Sequence, residues 1–177
     1  MLDQASETAV LSLLKWQEQG LIMWPMDLEL QLPSAVEGAE SLAAWLGREV
    51  RWQGGDQLIQ FGRDGTGSLY CLWSYSDLKG PPPVVFLGSE GELDHVAESA
   101  EHFVRYLGAG FDFGFGGWYM IGNLTPTEAQ RRRQLQAEIE PCYGPLEVQP
   151  DQLDQQQLAG PHPCFARWVE AVKAAPL

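Results

Sequence analysis

The chain has 177 residues, of which 24 are acidic and 11 are basic, so its formal charge is −13. A surface this negative excludes binding to nucleic acid or to an anionic membrane through a basic face, and it speeds encounter with a basic protein. Apolar residues make up 45% of the chain, which is enough to form the core of one domain. A purely solubilising role for the charge remains open as an alternative.

The cysteines and the N-terminus indicate where the protein works. Cys71, Cys142 and Cys164 are an odd number without the spacing of a disulfide framework, which favours a reducing compartment. Residues 1–4 lack the basic start of a signal peptide, and no apolar run is long enough to span a bilayer. We therefore expect a soluble, cytoplasmic protein.

The first predicted elements are a helix and an edge strand. Apolar residues near helical spacing predict a helix over 3–19, and Gly20 suits its end. Residues 26–32 alternate strictly between apolar and polar, which predicts a strand with an acidic open face. Pro25 and Pro33 bound this segment, as is typical of an edge strand.

A second helix is predicted to begin at Ser34, where Glu37 completes a capping-box pattern, and to end at Gly47. Its predicted buried face consists of Val36, Ala39, Leu42, Ala43 and Leu46. A short strand is expected at 50–52.

The middle of the chain predicts the centre of the sheet. Two apolar runs, 58–61 and 68–75, are joined by a turn that contains three glycines and Asp64. Both alternating faces of the second run are largely apolar, so we expect this strand to be covered on both sides and the Cys71 thiol to be buried. Residues 84–87 form a short apolar run behind three prolines, which is typical of a buried central strand.

The next segment contains a last short strand at 96–97 and a helix capped by Ser99 and closed by Gly108. Residues 110–119 then alternate glycines with aromatic side chains. These aromatic residues either pack over the open end of the sheet or form an exposed contact surface that includes Asp112. The sequence leaves both interpretations open.

The last third of the chain predicts a helical extension, 125–177. Thr125 and Glu128 form a capping box that opens a helix reaching about Ile139. A final helix is predicted over 163–174, with a buried face of Phe165, Trp168, Val169 and Val172.

Together these elements predict an α+β fold in a single domain over 1–177: a mixed or antiparallel sheet flanked by helices, with a helical C-terminal extension. The sequence does not say whether the extension lies on the sheet.

No catalytic or metal-binding constellation emerges from the sequence. Gly62 and Gly67 have the spacing of a phosphate-binding loop, but Ser68 replaces the required lysine and a strand follows. His162 and Cys164 give one short spacing, whereas zinc sites normally use paired ones. We expect no enzyme activity, no cofactor and no metal.

The only basic run of the chain, residues 131–133, falls on a predicted helix. Three successive arginines on a helix point in different directions, so a solvated face is favoured over a phosphate-binding patch.

Residues 57–108 resemble the SUKH superfamily, which includes bacterial immunity proteins and fungal regulators of cell-wall synthesis. The motifs are Phe61-Gly62-x-Asp64-Gly65-x-Gly67-x-Leu69-Tyr70, Pro82-Pro83-Val84-Val85-Phe86-Leu87, and Val96-Ala97-Glu98-Ser99 leading into Phe103 and Leu107. Trp73-Ser74 departs from the pattern, because an acidic residue is common there, and the chain continues past the usual final helix.

The resemblance implies an immunity protein that binds a cognate bacterial toxin and neutralises it by occlusion, and the charge favours a basic, nuclease-like toxin. Candidate contact residues, chosen from turns and strand ends, are Asp64, Tyr75, Asp77, Asp112 and Trp118. Two alternatives remain: a regulatory scaffold of the same fold, and an enzyme or small-ligand binder whose pocket the sequence does not reveal.

Overall fold

A computed structural model describes residues 2–33, 36–52 and 54–175. Within these ranges, five strands form an antiparallel sheet in chain order, and two further strands form a separate hairpin. The strands are β1 (Glu29–Leu30), β2 (Gln57–Arg63), β3 (Leu69–Ser74), β4 (Val84–Leu87), β5 (Leu93–Ala97), β6 (Phe111–Gly114) and β7 (Gly117–Met120). The helices are α1 (Gln4–Glu18), α2 (Val36–Leu46), α3 (Ala100–Gly108), α4 (Pro126–Tyr143), α5 (Gln155–Ala159) and α6 (Phe165–Ala174), with a 3-10 turn at Pro150–Leu153. The predicted α+β class is confirmed.

The central strand β3 separates two apolar cores, as its two-sided apolar pattern predicts. Tyr70 and Leu72 face a core shared with α1, α3 and α4. Cys71 and Trp73 face a second core, to which α2 and α6 contribute. The helical extension therefore packs on both sides of the sheet: α4 lies against α3 on one side, and α6 covers the other face.

The edge strand is shorter than predicted, because β1 pairs with β2 only at Glu29 and Leu30. The alternation of burial persists over 27–30, and the N–H of Gln31 still donates to the carbonyl of Phe61 in β2, but the N–H groups of Met26 and Asp27 bond elsewhere. The N–H of Asp27 donates to the carboxylate of Asp112, and a bulge at Phe61 shifts the register of β2. Side-chain periodicity thus continues where strand pairing does not.

Two further expectations are corrected around α2. Val36 is 71% exposed and Ala39 is also exposed, so the buried face consists of Gly38, Leu42 and Leu46. Residues 50–52 do not form a strand, although Val50 and Trp52 pack against the second core. The predicted cap at Ser34 lies outside the described residues.

The capping signals of α3 and α4 are confirmed, whereas the last helix begins at Phe165 and buries Phe165 and Val169, with Trp168 and Val172 only partly buried. The Ser99 hydroxyl accepts the N–H of His102 at the start of α3. Thr125 and Glu128 form the complete capping box of α4, which continues through Pro141, past its predicted end. None of the helices formed by the described residues has the length and apolarity needed to cross a membrane.

Candidate functional site: an acidic cleft at the turn end of the sheet

Three turns meet at one end of the sheet and enclose an open cleft of about 520 Å³. They are the β2–β3 turn, the β4–β5 turn and the tip of the β6–β7 hairpin, and the loop before β1 closes the remaining side. Four carboxylates and two exposed aromatic rings line this acidic cleft: Asp27, Asp64, Glu90, Glu92, Phe115 and Tyr119.

Asp64 builds the β2–β3 turn. Its Oδ1 accepts the N–H of Thr66 at 2.9 Å, the Thr66 hydroxyl at 2.7 Å and the N–H of Ser68 at 2.9 Å. Gly67 has φ +89°, a backbone conformation that favours glycine. The turn is therefore fixed by one oxygen of the carboxylate, and Oδ2 is free of these bonds.

Hydroxyl groups join this turn to the β4–β5 turn. The Ser68 hydroxyl accepts the N–H of Ser89 at 3.1 Å, and the Ser89 hydroxyl bonds that of Thr66 at 3.3 Å. In the second turn, Oε2 of Glu92 accepts the N–H of Glu90 at 3.2 Å. These bonds hold the acidic residues of the two turns on a common wall of the cleft.

Asp112 is buried next to the cleft and connects the loop before β1 to the β6–β7 hairpin. Its Oδ2 accepts the N–H of Asp27 at 3.0 Å and the hydroxyl of Tyr119 at 3.1 Å, while Oδ1 accepts the N–H of Phe113 at 2.9 Å. Burial raises the pKa of Asp112, and these hydrogen bonds oppose that rise. Burial and the charge of Asp112 raise the pKa of Tyr119 to about 12, so its hydroxyl remains a donor.

The carboxylates of the cleft have no basic partner within the described ranges. The ion pairs found there are Lys15–Glu138, Arg63–Glu29 and Lys173–Glu170, all of which lie outside the cleft. The negative charges in and next to the cleft also act on Tyr70. Burial raises the pKa of Tyr70 most, and the carboxylates of Asp112, Asp64 and Asp27 raise it further. The cleft is thus a region of concentrated negative potential.

Phe115 stands at the tip of the β6–β7 hairpin with its side chain fully exposed. It has φ +53°, and Gly116 after it has φ +78°. A two-residue turn with both φ values positive favours asparagine, aspartate or glycine at the first position. Phenylalanine therefore carries both a conformational and a solvation cost there, and the hairpin's own folding does not explain it.

The five candidate residues do not form one surface. Asp64 lines the acidic cleft, and Asp112 is only 1% exposed, so its carboxylate is not available as a surface contact. Trp118 donates its indole N–H to the carbonyl of Val96 and packs among aromatic residues, as in the interpretation that places the segment over the sheet. Tyr75 and Asp77 follow β3, at the opposite end of the sheet.

A second cluster joins the extension to the sheet. His95 of β5 and His162, just before α6, stack beside Trp73 and Phe165. The Tyr75 hydroxyl bonds Nδ1 of His162 at 2.9 Å. Sequence analysis missed this pair because the histidines lie far apart in the chain, and their environment is a packed cluster of aromatic side chains.

Three other features noted in the sequence lie in surroundings that are typical of a structural role. Burial raises the pKa of the Cys71 thiol, which is fully enclosed. Arg131 and Arg132 donate to the carbonyls of Trp24 and Ile121, so they join α4 to neighbouring loops. In the part of the chain that the structure describes, no three histidine, cysteine, aspartate or glutamate side chains converge on a metal position.

Comparison with models of protein families, with curated proteins and with solved structures gives no match to this chain.

Proposed function

We propose that this protein binds a basic protein and inhibits it by occlusion, and that the partner is a bacterial toxin. The acidic cleft is the observation that carries the binding role, because it concentrates carboxylates and exposed aromatic rings, and none of the described residues that line it is basic. The identity of the partner as a toxin follows from the resemblance to SUKH immunity proteins.

The net negative charge would attract the partner before contact, and the residues of the cleft would hold it after contact. A net charge of −13 attracts a basic partner over a distance set by ionic strength, which raises the association rate. On contact, Phe115 and Tyr119 would displace water from around the partner's cations and so strengthen their pairing with the carboxylates. The contact set that we propose is therefore the acidic cleft, with Asp64 retained from the sequence prediction.

The proposed role is non-catalytic and cytoplasmic. The enclosed Cys71 thiol is unsuited to nucleophilic attack, since its raised pKa keeps it protonated. All three cysteines are free, and Cys142 and Cys164 are exposed, as suits a reducing compartment.

The test begins with identification of the partner. Affinity capture from the host at raised salt, followed by mass spectrometry, supplies candidates. Each candidate is then expressed in cells with and without this protein. The proposal expects one candidate to stop growth and co-expression to restore it. If captured partners prove harmless and unrelated to toxins, the regulatory scaffold replaces the proposal.

Two triple variants show whether the acidic cleft is the surface used. The first variant combines Asp27→Asn, Glu90→Gln and Glu92→Gln, which removes three charges. The new amide side chains still offer an oxygen to the backbone N–H groups that Asp27 and Glu92 accept. Glu40→Gln with Glu140→Gln and Glu147→Gln removes three charges from exposed positions outside the cleft. We expect the first variant to lose at least about tenfold in affinity and the second to change it little. Equal losses would mean that total charge, and not the cleft, governs binding.

A further inference from the structure

We propose that the acidic cleft binds an arginine side chain of the partner, with the guanidinium stacked on Phe115 and hydrogen-bonded to carboxylates of the cleft. This inference rests on the proposed function, since it names the group through which the basic partner is held. It concerns one residue type and one position in the cleft, so it can fail while the proposed function stands.

The carboxylates are arranged as acceptors for a ligand with several donors. In Asp27, Asp64 and Glu92, one oxygen accepts a backbone N–H and fixes the orientation of the group. Among the described residues, the other oxygen of each takes no hydrogen bond, and Glu90 is exposed with both oxygens free. These acceptors come from the β2–β3 turn, the β4–β5 turn and the loop before β1, so they approach a ligand from different directions. A guanidinium carries five N–H donors in a fixed plane and can use several of them at once.

The aromatic side of the cleft favours the same group. Phe115 projects from the hairpin tip with its ring uncovered, and Gly116 and Gly117 beside it have open space where a side chain would be. The ring of Tyr119 is held by the bond from its hydroxyl to Asp112. A planar cation that is weakly hydrated stacks on such rings better than an ammonium, which holds its water more strongly.

The strained conformation of Phe115 fits this role. Its positive φ would be met more easily by asparagine, yet the position holds a large aromatic residue that contributes no buried surface to the fold. Stacking with a cation from the partner gives the ring a function that the isolated chain does not provide.

The test uses three small probes that share one backbone: the Nα-acetyl amides of arginine, lysine and citrulline. Each is titrated into the full-length protein while backbone amide signals are followed by NMR. We expect arginine to shift the amides of Gly65, Gly114 and Gly116, which surround the cleft. Lysine should bind at least about fivefold more weakly, and uncharged citrulline should leave these signals unchanged.

Substitutions at Phe115 separate stacking from charge. Phe115→Asn should abolish the preference for arginine over lysine, and Phe115→Trp should retain it. The triple variant in the cleft should abolish binding of both cations, and the triple variant outside it should bind as wild type. Shifts that are scattered over the acidic surface, or an unchanged preference in Phe115→Asn, would overturn the inference. If the partner's binding still depends on the cleft triple variant in that case, the proposed function survives this failure.

Discussion

The imidazole rings of His95 and His162 stack with their centroids 5.5 Å apart and their planes 16° from parallel. This contact fastens the segment before α6 to the edge strand β5. Burial, and then the neighbouring His162, lower the pKa of His95 to about 4. Burial lowers the pKa of His162 as well. Both rings therefore resist protonation as long as the extension is docked.

This pair predicts a loss of stability in mild acid. An unfolded histidine takes up its proton near pH 6.5, whereas folded His95 does so only near pH 4. The contribution of His95 to the free energy of unfolding is therefore complete above about pH 7 and falls by about 3 kcal/mol as the pH drops to about 4. Urea denaturation across this interval measures the fall, and His95→Phe should remove most of it. An unchanged pH dependence in that variant would contradict the assignment.

Phe115→Asn is expected to stabilise the protein. Asparagine adopts positive φ more readily than phenylalanine, and no packing is lost because the ring is exposed. We expect a gain of about 0.5 to 1 kcal/mol in the free energy of unfolding, measured from the urea midpoint. Phe115→Ala is the matched control, since it removes the ring without relieving the backbone, and it should give no gain. A destabilised Phe115→Asn variant would show that the ring supports the fold.

Asp112→Ala is expected to cost at least about 2 kcal/mol, because it leaves the N–H groups of Asp27 and Phe113 and the Tyr119 hydroxyl without their acceptor. The pKa of Tyr119 should fall below about 12 once the charge and hydrogen bond of Asp112 are gone, while burial, the largest cause, keeps it above the ordinary value of 10. Ultraviolet titration of the phenolate measures this shift. Asp112→Asn removes the charge but keeps the shape of the side chain, and a Tyr119 pKa that does not fall at all there would mean that the charge of Asp112 does not contribute to it.

Docking of α6 can be followed through the thiols. Cys142 and Cys164 are exposed and Cys71 is enclosed, so a thiol reagent should label two groups quickly and the third slowly. Phe165→Ala removes a buried ring that packs on Trp73 in the core shared with Cys71, at a cost of about 3 to 5 kcal/mol, and should speed labelling of Cys71. Val36→Ala, at an exposed position, is the control. Equal labelling rates in both variants would mean that α6 does not shield Cys71.

The sequence predicts the centre of this fold because its signals there are local. The apolar runs of β2 and β3, the glycines between them and the caps at Ser99 and Thr125 each depend on a few neighbouring residues. Where a backbone group finds a distant partner, local reasoning fails. The strand predicted over 26–32 shrinks to two residues because the N–H of Asp27 bonds Asp112, which lies 85 positions away.

The acidic cleft could not be predicted from the sequence either, because its residues are brought together by contacts between distant segments. Asp64 was recognised as a candidate because it lies in a clear turn, and Asp112 because it lies among aromatic residues. Asp27 and Glu90 come from two other segments, and strand pairing and hydrogen bonds between the turns bring them to Asp64 and to the hairpin that carries Phe115. No spacing within the chain signals that they share a cavity.

The path of the extension has a consequence for how the chain behaves in solution. After α4, the 3-10 turn passes Tyr106, whose hydroxyl donates to the carbonyl of Gln152, and α5 then contacts β5 before α6 crosses to the other face. The chain's own C-terminal segment thus wraps the outer strand of the sheet, where unpaired backbone groups would otherwise invite a strand from another molecule. Cleavage after α4 would remove this cover and the helix on the second core together. The shortened chain would tend to assemble with copies of itself through β5.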